Sequence, residues 1–148
     1  MVIYPDTSFL ISLFVDENPT PLAKTYTENL AEPLTFTPFH RLELRTALRL
    51  RAFRKEVTPH GLQTALQRSD EALVGGILLH APLVWADALR EAERLSAAYL
   101  TELGVRSGDL FHVASAVVLG AREFVTFDQR QTALARRAGL KVKTWKVA

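Results

Sequence analysis

The chain has no cysteine among its 148 residues. That excludes disulfide staples, thiolate zinc sites and thiol catalysis. Long apolar runs are absent too. The longest stretch without Asp, Glu, Lys or Arg is Ala72 to Ala86, 15 residues interrupted by a proline and a histidine, too short and too polar to span a bilayer. The opening Met-Val-Ile-Tyr-Pro-Asp lacks the basic region of a secretory leader, so a cytoplasmic protein without a membrane anchor is the expectation. Seven glycines and seven prolines leave no room for collagen-like or low-complexity segments. No repeat and no Gly/Ser-rich linker divides the chain. With 48% hydrophobic and 23% charged residues, the composition is that of one globular domain over residues 1–148, large enough to bury a core without staples.

Charge is nearly balanced, with 18 Lys and Arg against 16 Asp and Glu, but it is unevenly spread. Between Arg41 and Lys55 five arginines and one lysine face one glutamate. Such a stretch permits polyanion binding without demonstrating it.

Short β-like runs alternate with longer helical patterns. Strands are expected at Val2–Tyr4, Leu34–Thr37, Ile77–Leu79, Glu123–Phe127 and Lys141–Trp145, the last alternating like an edge strand. Helices are expected at Ser8–Val15, after the Asn18-Pro19-Thr20-Pro21 punctuation to about Leu30, and at Phe39–Phe53 with an apolar stripe through Leu42, Ala47 and Leu50. Others follow from Thr58-Pro59 to Gly75-Gly76, from Trp85 to Leu103 before Gly104, from Ser107 to Leu119 before Gly120, and from Gln129 to Ala138 before Gly139. Five strands separated by helices predict an α/β fold, a five-stranded parallel sheet flanked by helices. In such folds ligands bind beyond the carboxyl ends of the strands, where the strand order reverses.

Asp6 and Asp128 directly follow the first and fourth strands. Each also precedes a helix, where Asp is a favoured cap. Asp109 stands in the first turn of a helix that is apolar around nearly its whole circumference, so it points inward or into a cleft; Ser107 competes with it as the cap. Glu43, with Phe39, Ala47 and Leu50 as helical neighbours, lies on or beside an apolar stripe. A lone carboxylate there is costly unless paired, either with an arginine or with a metal ion shared among carboxylates. Four converging acids would raise one another's pKa, a repulsion relieved by a hard cation, and oxygen-only ligands favour Mg²⁺ or Mn²⁺. The histidines at 40, 60, 80 and 112 show no paired zinc-ligand spacing, and His112 is expected to pack within its helix. Arg41, Arg45 and Arg49, spaced by four, form a separate basic stripe.

The order of these segments resembles a PIN-domain ribonuclease: Asp6-Thr7-Ser8 after a first apolar strand, Arg41-Leu42-Glu43-Leu44 in the helix after the second, Ser107-Gly108-Asp109-Leu110-Phe111-His112-Val113-Ala114-Ser115-Ala116, and Val125-Thr126-Phe127-Asp128. In length and order it is similar to the VapC toxins of type II toxin–antitoxin pairs. The resemblance implies a single PIN-like domain in which Asp6, Glu43, Asp109 and Asp128 carry a Mg²⁺ or Mn²⁺ site, Asp6 and Asp109 foremost. It implies supporting hydroxyls at Thr7, Ser8 and Thr126, and hydrolysis of RNA phosphodiester bonds without a protein nucleophile. Arg41, Arg45 and Arg49 are candidate phosphate contacts. It also implies a cognate antitoxin whose tail occupies the groove near the acids, and a homodimer. Phe127 stands where many relatives carry a polar residue. A haloacid-type phosphatase would need an acid at the position of Ser8, and a receiver domain would need one after the third strand, which runs instead into His80-Ala81-Pro82. A PIN-like RNA-processing or binding protein that is not a toxin remains the alternative.

Overall fold

Ile3 and Tyr4 divide the molecule between them. Successive side chains of a strand point to opposite faces, and these two, both fully buried, belong to separate hydrophobic clusters on the two sides of one sheet. They lie on β1 (Ile3–Pro5) in a computed structural model that describes residues 1–146. The remaining strands are β2 (Leu34–Phe36), β3 (Leu78–His80), β4 (Glu123–Val125) and β5 (Lys141–Lys143). All pair in parallel in the order β3-β2-β1-β4-β5, so β1 is central and β5 is an edge strand, as its alternation predicts.

Seven helices cover the sheet among the described residues: α1 (Thr7–Phe14), α2 (Thr20–Glu28), α3 (Pro38–Phe53), α4 (Pro59–Val74), α5 (Trp85–Leu103), α6 (Ser107–Val118) and α7 (Gln129–Arg137). The cluster around Ile3 takes Phe9 and Leu10 from α1, Leu44 and Leu48 from α3 and Ala65 and Ala72 from α4. The cluster around Tyr4 is filled by Ala88, Ala92 and Leu95 of α5, Phe111, Val113, Ala114 and Ala116 of α6, and Leu134 and Ala135 of α7. No helix among the described residues is long and apolar enough to cross a membrane.

Local chemistry sets the helix limits. Pro38 and Pro59 occupy first turns, behind threonine caps Thr37 and Thr58, where a missing N–H loses nothing. Gly104 ends α5 in the left-handed conformation, with φ of 62°, which glycine adopts without steric strain.

Several expectations are corrected. The second helix already takes in Thr20 and Pro21, with the proline in its first turn, and ends at Glu28. β3 is displaced to Leu78–His80, leaving Ile77 half exposed. β4 stops at Val125 and β5 at Lys143. Beyond them Phe127 and Trp145 turn aside to stack on each other and on Phe9. The inward stripe of α3 is His40, Leu44 and Leu48, whereas Leu42, Leu50 and Phe53 are exposed. Finally, α6 has Arg106 as its cap residue without a side-chain bond, so neither Ser107 nor Asp109 caps it.

Candidate functional site

The strand order reverses at β1, whose neighbours are β2 and β4. Just beyond its carboxyl end lies an open cavity of about 800 Å³ bordered by Thr7, Ser8, Glu43, Arg106, Asp109 and Asp128, among others. The four acids singled out in the sequence reach this region from four elements: Asp6 from the end of β1, Glu43 from mid-α3, Asp109 from the first turn of α6 and Asp128 from the start of α7.

Asp6 is fully buried and richly bonded. Oδ1 accepts from the Phe9 backbone N–H (2.8 Å) and the Ser8 hydroxyl; Oδ2 accepts from Thr126 (2.5 Å), Ser8 (2.9 Å) and Gln131 Nε2 (2.8 Å). Burial pushes its carboxyl up to about 6, against the pull of the Thr126, Phe9 and Ser8 donors. The mutual repulsion expected among the acids is therefore not the main cause. Removal from water is.

The protein partner of Glu43 is a histidine, not the arginine considered from sequence. It is bonded to His112 Nε2 and receives the Thr7 hydroxyl at 2.6 Å. An ionised carboxylate can only accept, so Nε2 carries a proton. The ring's Nδ1 lies 2.7 Å from the Tyr4 hydroxyl in the core. Burial pushes Glu43 up, but His112 and Thr7 together more than offset it and hold the carboxyl below its ordinary value. Gly108 lies against this group: a Cβ there would come within 2.9 Å of Glu43 Oε2. The glycine of Ser107-Gly108-Asp109 is thus the space into which the Glu43 carboxylate fits.

Asp109 is half-buried, and its carboxyl is raised by burial first, then by the charge of Asp128, with Glu43 adding to it. Asp128 caps α7 by accepting from the Arg130 (2.7 Å) and Gln131 (3.3 Å) backbone N–H groups, while its own N–H donates to Thr126 Oγ1 at 2.9 Å. The helix-cap reading of Asp6 and Asp128 is correct as far as it goes, since Asp6 caps α1 in the same way. Capping leaves Asp128 at the mouth of the cleft and Asp6 buried just beneath it.

Among the described residues no three acidic or histidine side chains stand close enough to make a ready-formed metal cluster. The expected convergence of four carboxylates is thus incomplete. Glu43 is turned toward His112, Asp128 toward its helix, and an amide links Asp6 to Asp109. The donor chemistry nonetheless fits a hard divalent cation, because oxygen ligands of net negative charge border one open cleft.

Three participants were missed in the sequence. His112 lies three residues after Asp109, on the same helical face, a spacing that could have tied it to the site. Gln131 lies three after Asp128. His40 completes a capping box with Thr37, and its Nε2 donates to the Pro5 carbonyl at 2.7 Å, fixing the start of α3 to the end of β1.

The sequence profile of the PIN domain family matches residues 3–137. The chain belongs to the PIN-domain family. Solved structures agree in fold with this PIN domain. VapBC2 from Rickettsia felis, crystallised with a DNA fragment from its promoter, superposes with a TM-score of 0.66 at 15% identity, over 99% of this chain and 100% of that one. FitAcB from Neisseria gonorrhoeae gives 0.66 at 16%, over 95% and 96%. VapC20 from Mycobacterium tuberculosis, a toxin that cleaves the sarcin-ricin loop, gives 0.69 at 17%, over 88% and 93%. No curated protein sequence matches the PIN chain significantly.

Proposed function

We propose that this PIN-domain protein is a Mg²⁺- or Mn²⁺-dependent endoribonuclease, the toxin of a toxin–antitoxin pair acting in the cytoplasm. The observation that carries this reading is the cleft at the reversal of strand order, bordered by Glu43, Asp109 and Asp128 with Asp6 just beneath. In it Asp6 and Asp109 are the principal cation ligands, and Glu43 and Asp128 complete the set directly or through water. A bound divalent cation supplies an activated water and Lewis acidity toward a phosphate oxygen. The protein's own groups do the rest. Thr126, Ser8 and the Phe9 N–H orient Asp6; His112 and Thr7 aim Glu43 and keep it ionised.

A shallow hollow on the outer face of α3, about 280 Å³ and lined by Arg41, Arg45 and Arg49, shares Leu42 and Thr46 with the acidic cleft. An RNA backbone lying in that hollow would be led to the acids. Arg45 is tied to Asp70 at 2.7 Å, so Arg41 and Arg49 are the freer phosphate contacts. The exposed Leu42, Leu50 and Phe53 on the same helix offer an apolar seat for an antitoxin segment beside the site. VapBC2 and FitAcB, similar in fold, support a protein partner of this kind, and a homodimer is the assembly proposed with it.

Purified protein free of antitoxin should cleave single-stranded or looped RNA with Mg²⁺ or Mn²⁺ and stop on addition of EDTA. Undiminished cleavage in excess chelator overturns the metal-dependent reading.

A further inference from the structure

Gln131 is 3% exposed, and its side chain bridges Asp6 and Asp109. Its Nε2 donates to Asp6 Oδ2 at 2.8 Å and to Asp109 Oδ1 at 3.2 Å. Both amide protons are thereby used, one on each carboxylate, while Oε1 is buried with no hydrogen-bond partner. A primary amide normally satisfies its oxygen when buried, and leaving it bare costs about 1–3 kcal/mol. The reverse orientation would set Oε1 against two carboxylates, a worse arrangement while they are ionised. So the orphaned oxygen is the consequence of a stronger demand on the nitrogen side. That demand is for positive charge between the two acids, and an amide meets it only partly, with two bond dipoles and no net charge.

We propose that Gln131 is the stand-in for the cation: its amide cross-links Asp6 and Asp109 in the metal-free protein and withdraws when a divalent ion takes their oxygens. The inference rests on the metal-site reading above and assigns Gln131 the role of a positioning residue, competing with the ion rather than binding it. It also accounts for the incomplete convergence of the acids. The amide nitrogen keeps the two carboxylates farther apart than an ion with oxygen ligands at about 2.1 Å would draw them. As the binding-competent arrangement requires the amide to leave, affinity for the ion is reduced by the fraction of molecules in which it has left.

The test compares the parent with Gln131→Met, which keeps length and removes the amide. Mg²⁺ is titrated calorimetrically into metal-free protein, and thermal melts are recorded in EDTA. The expected result is a lower melting temperature in EDTA together with Mg²⁺ binding tightened on the order of tenfold, the scale of one hydrogen bond to a charged group. Unchanged binding in the variant would mean a packing role only. Weakened binding would make Gln131 a ligand. Either result overturns the proposal while leaving the metal site standing. Failure of the parent to bind Mg²⁺ at all overturns the metal-site reading and this inference with it. A second measurement needs no variant. In ¹⁵N-labelled parent the Gln131 side-chain NH₂ pair should exchange slowly with solvent in EDTA, then shift and exchange faster on adding Mg²⁺. If the Asp109 backbone amide responds to Mg²⁺ while that pair does not, the stand-in role is overturned.

Discussion

Replacing Asp6 by Asn should change how the stability of the metal-free protein depends on pH. Burial raises the Asp6 carboxyl from 3.8 to about 6 in the folded chain. A carboxylate raised in this way contributes its full stability below the unfolded value, near 4, and loses it as pH rises through the folded value. At 1.36 kcal/mol for each pKa unit, the full loss attributable to Asp6 is about 3 kcal/mol, of which about 2.4 kcal/mol falls between pH 4 and pH 7. Glu43 acts in the opposite sense. Its folded value is lowered, so its stabilisation is present above the unfolded value and disappears as pH falls through the folded one. Both proteins share Glu43, so it drops out of their difference. Urea denaturation in EDTA at pH 4, 5, 6, 7 and 8 gives the unfolding free energy of each. Losing one acceptor for Thr126 and Gln131 adds an offset that does not vary with pH, so the informative quantity is the slope. The parent should lose about 2.4 kcal/mol relative to Asp6→Asn across this window, and saturating Mg²⁺ should remove the loss. A difference that is flat with pH, or that runs the other way, would refute the assignment of Asp6 as a buried, charge-strained acid.

Glu43→Gln should lower RNA cleavage by about 100-fold, the scale on which metal-site groups matter, with the melting temperature in EDTA lowered only modestly at neutral pH, because the amide oxygen still accepts from His112 and Thr7 while the contribution of the ionised carboxylate is lost; an unfolded variant would contradict this. Gly108→Ala places a methyl 2.9 Å from Glu43 Oε2, and since the group it meets is the tip of a flexible side chain, the fold should survive while cleavage falls by about 100-fold, as sub-ångström misplacement can do. Thr126→Val removes the 2.5 Å bond to Asp6 and the acceptor of the Asp128 N–H, and should cost about 1–3 kcal/mol in urea denaturation; an unchanged midpoint would refute it. Arg41→Ala and Arg49→Ala together should weaken RNA binding regardless of sequence and flatten its salt dependence by about 0.7 in log–log slope for each phosphate no longer neutralised, whereas Arg45→Ala, already committed to Asp70, should do less.

Much of the architecture was readable because it rests on local chemistry. Prolines in first turns, glycine after α5, and aspartates closing strands before helices mark boundaries that tertiary packing did not move. The inner face of α3 was not readable in this way. Apolar Leu42, Leu50 and Phe53 occupy its exposed side, and a histidine, His40, occupies the core, paid for by bonds to Thr37 and Pro5. Strand ends were overestimated where an apolar residue leaves the sheet, as Phe127 does to reach Phe9 and Trp145. The four acids could be named from their positions after strands and within buried helical stretches. Their partners could not. The helical pattern around Glu43 announces a need for compensation without saying that His112, 69 residues away, will meet it. A glutamine one turn into α7 carries no sign of lying between two aspartates.

The central pairing has a consequence for how the chain is made. β1 is joined along its whole length to β4, Ile3 against Glu123 and Pro5 against Val125, and Asp6 completes its bonds only with Thr126 and Gln131. β1 therefore waits for β4, the fourth of the five strands in chain order. Pairings so distant in sequence form late, after most of the loop-closure entropy has been met. A nascent chain that stops before residue 123 contains Asp6, Glu43 and Asp109, yet has neither the β1–β4 pairing nor the Thr126 and Gln131 donors that make a buried aspartate tolerable. Folding and the assembly of the acidic cleft are thus one event, reached only once β4 and the start of α7 have been made, and no folded fragment ending before β4 can hold that cleft.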